Sequence, residues 1–112
     1  MVGGKTSIGI FSKTLDSAVV EAAGHSGLDF IILDMEHGPS TLPIIHNHVR
    51  AARLTSMASI VRVRENSPHM IGAVLDSGAD GVQVPNISTA DQAREAVKAA
   101  RFYPTGTRGV CR

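Results

Sequence analysis

The chain has 112 residues, 11 basic and 10 acidic side chains, a formal net charge of +1 and 43% apolar residues. That length suffices for one domain with a fair core. The charge is scattered, which excludes a basic nucleic-acid stripe, and no apolar run approaches the roughly 20 residues of a membrane span. Met1-Val2-Gly3-Gly4-Lys5 leads straight into a strand-like run without a signal-peptide core. The lone cysteine, Cys111, has no internal disulfide partner, as expected in a reducing compartment. A cytoplasmic location is therefore expected.

Strand and helix signals alternate four times. The first strand is the apolar run Ser7-Ile8-Gly9-Ile10-Phe11. Leu15, Ala18, Val19, Ala22 and Ala23 then repeat with the spacing of one helix face, ended by Gly24 and Gly27. Residues 29–34 make the second strand. Ser40 or Thr41 caps the next helix, Pro43 fits its first turn, and Leu42, Ile45, Val49 and Ala52 form its inward stripe. Ala58 to Val63 is the third strand. Ser67-Pro68 starts a helix that turns Met70, Ile71, Val74 and Leu75 inward and stops at Gly78. Gly81 to Val84 is the fourth strand, stopped by Pro85. Ser88-Thr89-Ala90-Asp91 matches a capping box, and Ala93, Val97 and Ala100 line the last helix.

Four βα units in one row imply parallel strands with right-handed crossovers. Two architectures satisfy this: a small doubly wound sheet, or half of an eight-unit barrel. A whole barrel takes about 250 residues. The sequence stops just after the Gly- and Arg-rich segment 103–109 with no closing helix, so it reads as a truncation.

The chemistry concentrates in residues 31–39, Ile-Ile-Leu-Asp-Met-Glu-His-Gly-Pro. A buried parallel strand ends here in Asp34, Glu36 and His37, groups that are costly at a strand end unless paired or used. Parallel α/β folds place their active sites at the C-terminal ends of strands. His37 is thus the candidate general base. Arg62, near the end of the third strand, suits a carboxylate or an enolate-like oxygen because its planar fork donates two parallel hydrogen bonds. Arg64 shares its parity and competes for the role, and a plain strand-end salt bridge to Glu65 or another acid is the ordinary alternative. Taken alone, Asp76 at the end of the third helix is a solvated or capping acid. His25, His46, His48 and His69 read as surface residues, and His46 and His48, two apart on a helix, form no metal pair. Gln83 faces either a barrel interior or a core hydrogen bond.

Taken together, Asp34-Met35-Glu36-His37-Gly38-Pro39, Val61-Arg62, Leu75-Asp76-Ser77-Gly78, Val84-Pro85 and the run from Arg101-Phe102-Tyr103-Pro104 to Arg108-Gly109 resemble the HpcH/HpaI aldolase family in order and spacing. The resemblance extends from about Ile8 to Arg108 and covers the N-terminal half of a family member. It implies that residues 1–112 are four βα units, the N-terminal half of a TIM (β/α)8 barrel. It implies a metal-dependent (class II) aldolase that cleaves a 4-hydroxy-2-oxo acid to pyruvate and an aldehyde. His37 would accept the proton, Arg62 would stabilise the enolate, and Asp76 would raise the basicity of His37. Arg62, Asp34 and Glu36 would line the substrate pocket. The divalent metal, Mg²⁺, Mn²⁺ or similar, would be held by a glutamate and an aspartate from later strands, to which nothing here corresponds. The expected partners are a small oxo acid and either further copies of the chain or a C-terminal half. The competing expectation is a non-catalytic α/β fragment or self-assembling half-barrel module.

Overall fold

The structure, a computed structural model, describes residues 4–110, so Cys111 and the first three residues lie outside the described residues. The strands are β1 (Gly9–Ser12), β2 (Phe30–Asp34), β3 (Ala58–Arg62) and β4 (Gly81–Gln83). They alternate with helices α1 (Ser17–His25), α2 (Leu42–Arg53), α3 (Pro68–Asp76) and α4 (Ala90–Ala100). All strand pairs are parallel and the sheet order is β1-β2-β3-β4. A doubly wound sheet reverses its strand order part-way, so that helices cover both faces. Here the order never reverses, and right-handed crossovers put every helix on one side. The helices pack as a row, α1 on α2, α2 on α3 and α3 on α4. This is the arc of a barrel.

Strand alternation sorts the side chains into two faces. Ile31, Leu33, Ser59 and Val61 point under the helices and are buried to within 1% exposure. They meet Val20 of α1, Ile45 and Val49 of α2, and Ile71 and Val74 of α3 in one core. Each such aliphatic side chain contributes roughly 1.5–3 kcal/mol relative to its exposed state. The other face follows the register. Phe11, Ile32, Ile60 and Gly81 form one row, and Asp34, Arg62 and Gln83 form the next row toward the C-terminal ends. Rows of this kind are the layers of a barrel interior.

Helix starts follow their caps. Asp16 accepts from the Ala18 amide and Ser67 from the Met70 amide, while α2 begins after Thr41 without a side-chain bond. The capping box of α4 begins at Thr89, one residue later than the sequence pattern suggests, because the longer Gln92 reaches back to the Ser88 and Thr89 amides. The two end helices are also rotated from expectation. Along α1, Val20 is buried and Ala23 packs on the core as expected, whereas Ala18, Val19 and Ala22, with Leu15 just before the helix, are exposed. In α4, Ala96, Ala99 and Ala100 pack inward, and Ala93 and Val97 face out. Each end helix has a helix neighbour on one side only, so one of its two apolar stripes stays open.

One histidine reading is corrected. His48, on α2, is 1% exposed and packed against the segment before α1, and its Nε2 has no hydrogen-bond partner among the described residues. Burial pushes its pKa below the usual histidine value, against a bond with the Leu15 backbone and the charge of Asp16. His25, His46 and His69 are exposed as expected.

Candidate active site

β2 and β3 pair so that Asp34 lies directly across from Arg62. The pairing creates a bidentate ion pair: Arg62 Nε donates to Asp34 Oδ1 at 3.1 Å and Nη2 to Oδ2 at 2.7 Å. Asp34 is 1% exposed, and its Oδ1 also accepts the backbone amides of Glu36 (2.9 Å) and His37 (3.1 Å). The Arg62 fork and these amides hold the Asp34 carboxyl at a pKa of about 2, below the ordinary 3.8, against the opposing effect of burial. Asp34 in turn raises the Arg62 pKa. The guanidinium lies over the Phe11 ring, 4.8 Å from its centroid.

The loop after β2 turns sharply over this platform. A side chain at Gly38 would collide with the Asp34 carbonyl, so the turn closes only on glycine. The result carries the His37 imidazole into the open with its side chain 60% exposed. Its Nδ1 is 3.1 Å from Arg62 Nη2 and 3.4 Å from Glu36 Oε1. Glu36 is also 3.6 Å from Arg62 Nε, and the Asn86 amide donates to its other oxygen at 3.5 Å. His37, Arg62 and Glu36 therefore meet at the C-terminal end of the sheet, with Asp34 beneath them. Arg62 Nη1 has no hydrogen-bond partner among the described residues and is available to an anionic oxygen.

Two implied site residues stand elsewhere. Asp34, read from the resemblance as pocket lining, sits behind Arg62, where its oxygens are taken by the guanidinium and the loop amides. Asp76 is at the opposite end of the sheet, because α3 runs back antiparallel to the strands before β4 begins. Its carboxylate pairs with Arg108 at 2.7 Å, and the polar neighbours of His37 are Glu36 and Arg62. Gln83 is exposed in the inner row beside Arg62, so of its two readings the barrel interior is the one observed. Asn86, a non-glycine residue at φ 58°, was not singled out by any sequence pattern. Its signal is the left-handed turn after Val84-Pro85, which Asn tolerates better than most residues.

The family model for HpcH/HpaI aldolase/citrate lyase matches residues 7–112. The chain belongs to the HpcH/HpaI aldolase/citrate lyase family. A 2-keto-3-deoxy-L-rhamnonate aldolase of Klebsiella pneumoniae is 36% identical over 110 residues, covering 98% of this chain and 41% of the relative. An HpcH/HpaI family protein of Burkholderia cenocepacia superposes with a TM-score of 0.92 at 31% identity, over 98% of this chain and 45% of its own. An HpcH/HpaI aldolase of Desulfitobacterium hafniense does so with a TM-score of 0.90 at 30% identity, over 96% and 42%. The chain thus spans about two fifths of the length of the curated relatives it matches, and its four βα units are the N-terminal half of the TIM barrel of these structures.

The residues described do not fit the family's divalent metal by themselves. Among them no three His, Cys, Asp or Glu side chains cluster as a ligand set. A hard cation needs several oxygen ligands, and both Asp34 oxygens are already engaged. No helix among the described residues is long and apolar enough to cross a membrane.

Proposed function

We propose that this half-barrel carries the base and the enolate-stabilising cation of an aldolase that cleaves a 4-hydroxy-2-oxo acid to pyruvate and an aldehyde. The observation that carries the reading is the contact of His37 with Arg62 and Glu36 on a buried Asp34 platform. Three titratable side chains converge at the strand ends where parallel barrels do their chemistry. For Nε2 to act as the base the His37 proton must sit on Nδ1 and point to Glu36, 3.4 Å away, so that the Arg62 Nη2 now 3.1 Å from Nδ1 turns to the substrate's anionic oxygens instead. Nε2 then takes the proton of the C4 hydroxyl. The C3–C4 bond breaks, the carbonyl of the aldehyde forms, and the bonding pair moves into the C2–C3 enolate. Arg62 faces the negative charge that develops on the C2 oxygen and the carboxylate. Protonation at C3 then gives pyruvate. The family metal would add Lewis-acid stabilisation, and its ligands belong to strands beyond β4.

Asp76 has no part in this site within one chain. A contribution to His37 would have to come from a second copy. The open edges at β1 and β4, and the half-exposed Ile32 and Ile60 of the inner face, make four further βα units part of the reading, from the same polypeptide or another. The test is pyruvate release from a 4-hydroxy-2-oxo acid with added Mg²⁺ or Mn²⁺. The 112-residue chain alone is expected to show little or none. An eight-unit barrel with this chain as its first half is expected to turn over. Inactivity of that barrel toward every such acid would overturn the proposal and favour a non-catalytic module.

A further inference from the structure

Arg64 follows β3 by two residues and shares the parity of Arg62, yet the two arginines go to different work. Arg62 holds a side chain, the Asp34 carboxylate. Arg64 holds the backbone: its Nε donates to the Met35 carbonyl at 2.9 Å and its Nη2 to the Ser40 carbonyl at 3.2 Å. Met35 and Ser40 are the two shoulders of the His37 loop, and both are buried, at 1% and 2% exposure. From inside the loop, Asp34 Oδ1 accepts the amides of Glu36 and His37. The amides of this short turn are thus held by Asp34 at the end of β2, and its shoulder carbonyls by Arg64, two residues beyond the end of β3.

From this geometry we infer that Arg64 is a positioning residue for His37, a clamp that fixes the imidazole at its 3.1 Å contact with Arg62. The physical reason is the fork. A planar guanidinium presents two donors at a fixed separation, so it sets the distance between two carbonyls as well as bonding them. Lysine offers a single flexible point charge and holds one shoulder at a time. Arg64 makes no contact with the reacting atoms in this scheme. Its effect on chemistry passes through the loop. The clamp itself stands on hydrogen bonds alone, whereas its catalytic consequence rests on the aldolase reading.

Hydrogen exchange followed by mass spectrometry on the 112-residue chain separates the two. Charge-assisted bonds of this kind are worth enough that losing both should speed exchange of the Glu36 and His37 amides roughly tenfold or more. In R64A that acceleration is expected on peptides spanning residues 35–41, while peptides of β2 and β3 around Ile31 and Val61 keep their protection. R64K should give an intermediate rate on the loop and none elsewhere. Unchanged loop exchange in both variants overturns the clamp. So does a uniform acceleration of loop and strands, which marks Arg64 as a general stabiliser. If R64A does not fold, R64K decides alone, and a loop rate equal to that of the unaltered chain overturns the inference. In the completed barrel, R64A should lower kcat several-fold with KM within about twofold and R64K should recover part of it. A loosened loop with unchanged kcat leaves the clamp standing and removes its catalytic role, and a completed barrel without activity condemns the aldolase reading instead.

Discussion

The molecule builds the same assembly twice, at opposite ends of its sheet. Arg62 pairs with Asp34 over the Phe11 ring, and Arg108 pairs with Asp76 over the Phe102 ring, with guanidinium-to-centroid distances of 4.8 and 4.5 Å. Both pairs close at 2.7 Å. What differs is the acid. The Asp34 side chain is fully buried and accepts two further backbone amides, whereas the Asp76 side chain is 50% exposed. A buried acid left without its cation is an uncompensated charge, and an exposed one is rehydrated. Identical chemistry is therefore a platform for a reactive loop at one end and a surface fastening for residues 102–108 at the other.

Several measurements would break or sharpen that contrast. The largest effect belongs to the group the platform carries. His37→Ala in a completed barrel should cost roughly 10²- to 10⁴-fold in turnover, and because the ring is exposed it should leave the unfolding midpoint nearly unchanged. A smaller kinetic loss would mean that the buried pair supports something other than a base. Next comes the pair itself. Asp34→Ala should destabilise the chain by about 2–3 kcal/mol in urea unfolding, chiefly because two loop amides lose their acceptor, while Arg62, 19% exposed, loses its partner but can be rehydrated.

The pH dependence follows from the same carboxylate. Asp34 has a folded pKa of about 2 against the ordinary 3.8, so its contribution is fully present above pH 3.8 and is lost as pH falls through 2. Urea midpoints measured down that range should fall more steeply than those of Asp34→Asn, and parallel curves would refute the linkage. The smallest effect belongs to the other end. Asp76→Ala should cost no more than about 1 kcal/mol, with any local change confined to residues 102–110. A loss as large as that of Asp34→Ala would erase the contrast between the two pairs.

Local patterning already contained most of the architecture. Chain order, four βα units and the strand boundaries to within two residues follow from apolar runs, Gly and Pro breaks and capping residues, because these depend on neighbours a few positions apart. His37 stands out as a candidate because the apolar run of β2 stops just before it, whereas Arg64 shares the parity of Arg62 and only the family resemblance chooses between the two arginines. The stripes of α1 and α4 were not legible, since a helix with two apolar faces buries the one that its neighbours happen to cover. His48 was missed because periodicity ranks a histidine as polar, while packing against the segment before α1 buries it. The long-range partners lay beyond sequence altogether. That Arg62 takes Asp34, that Arg64 takes the shoulders of the loop and that Asp76 takes Arg108 depend on strand register and helix direction. Those join residues 24 to 32 positions apart, and no local spacing encodes them.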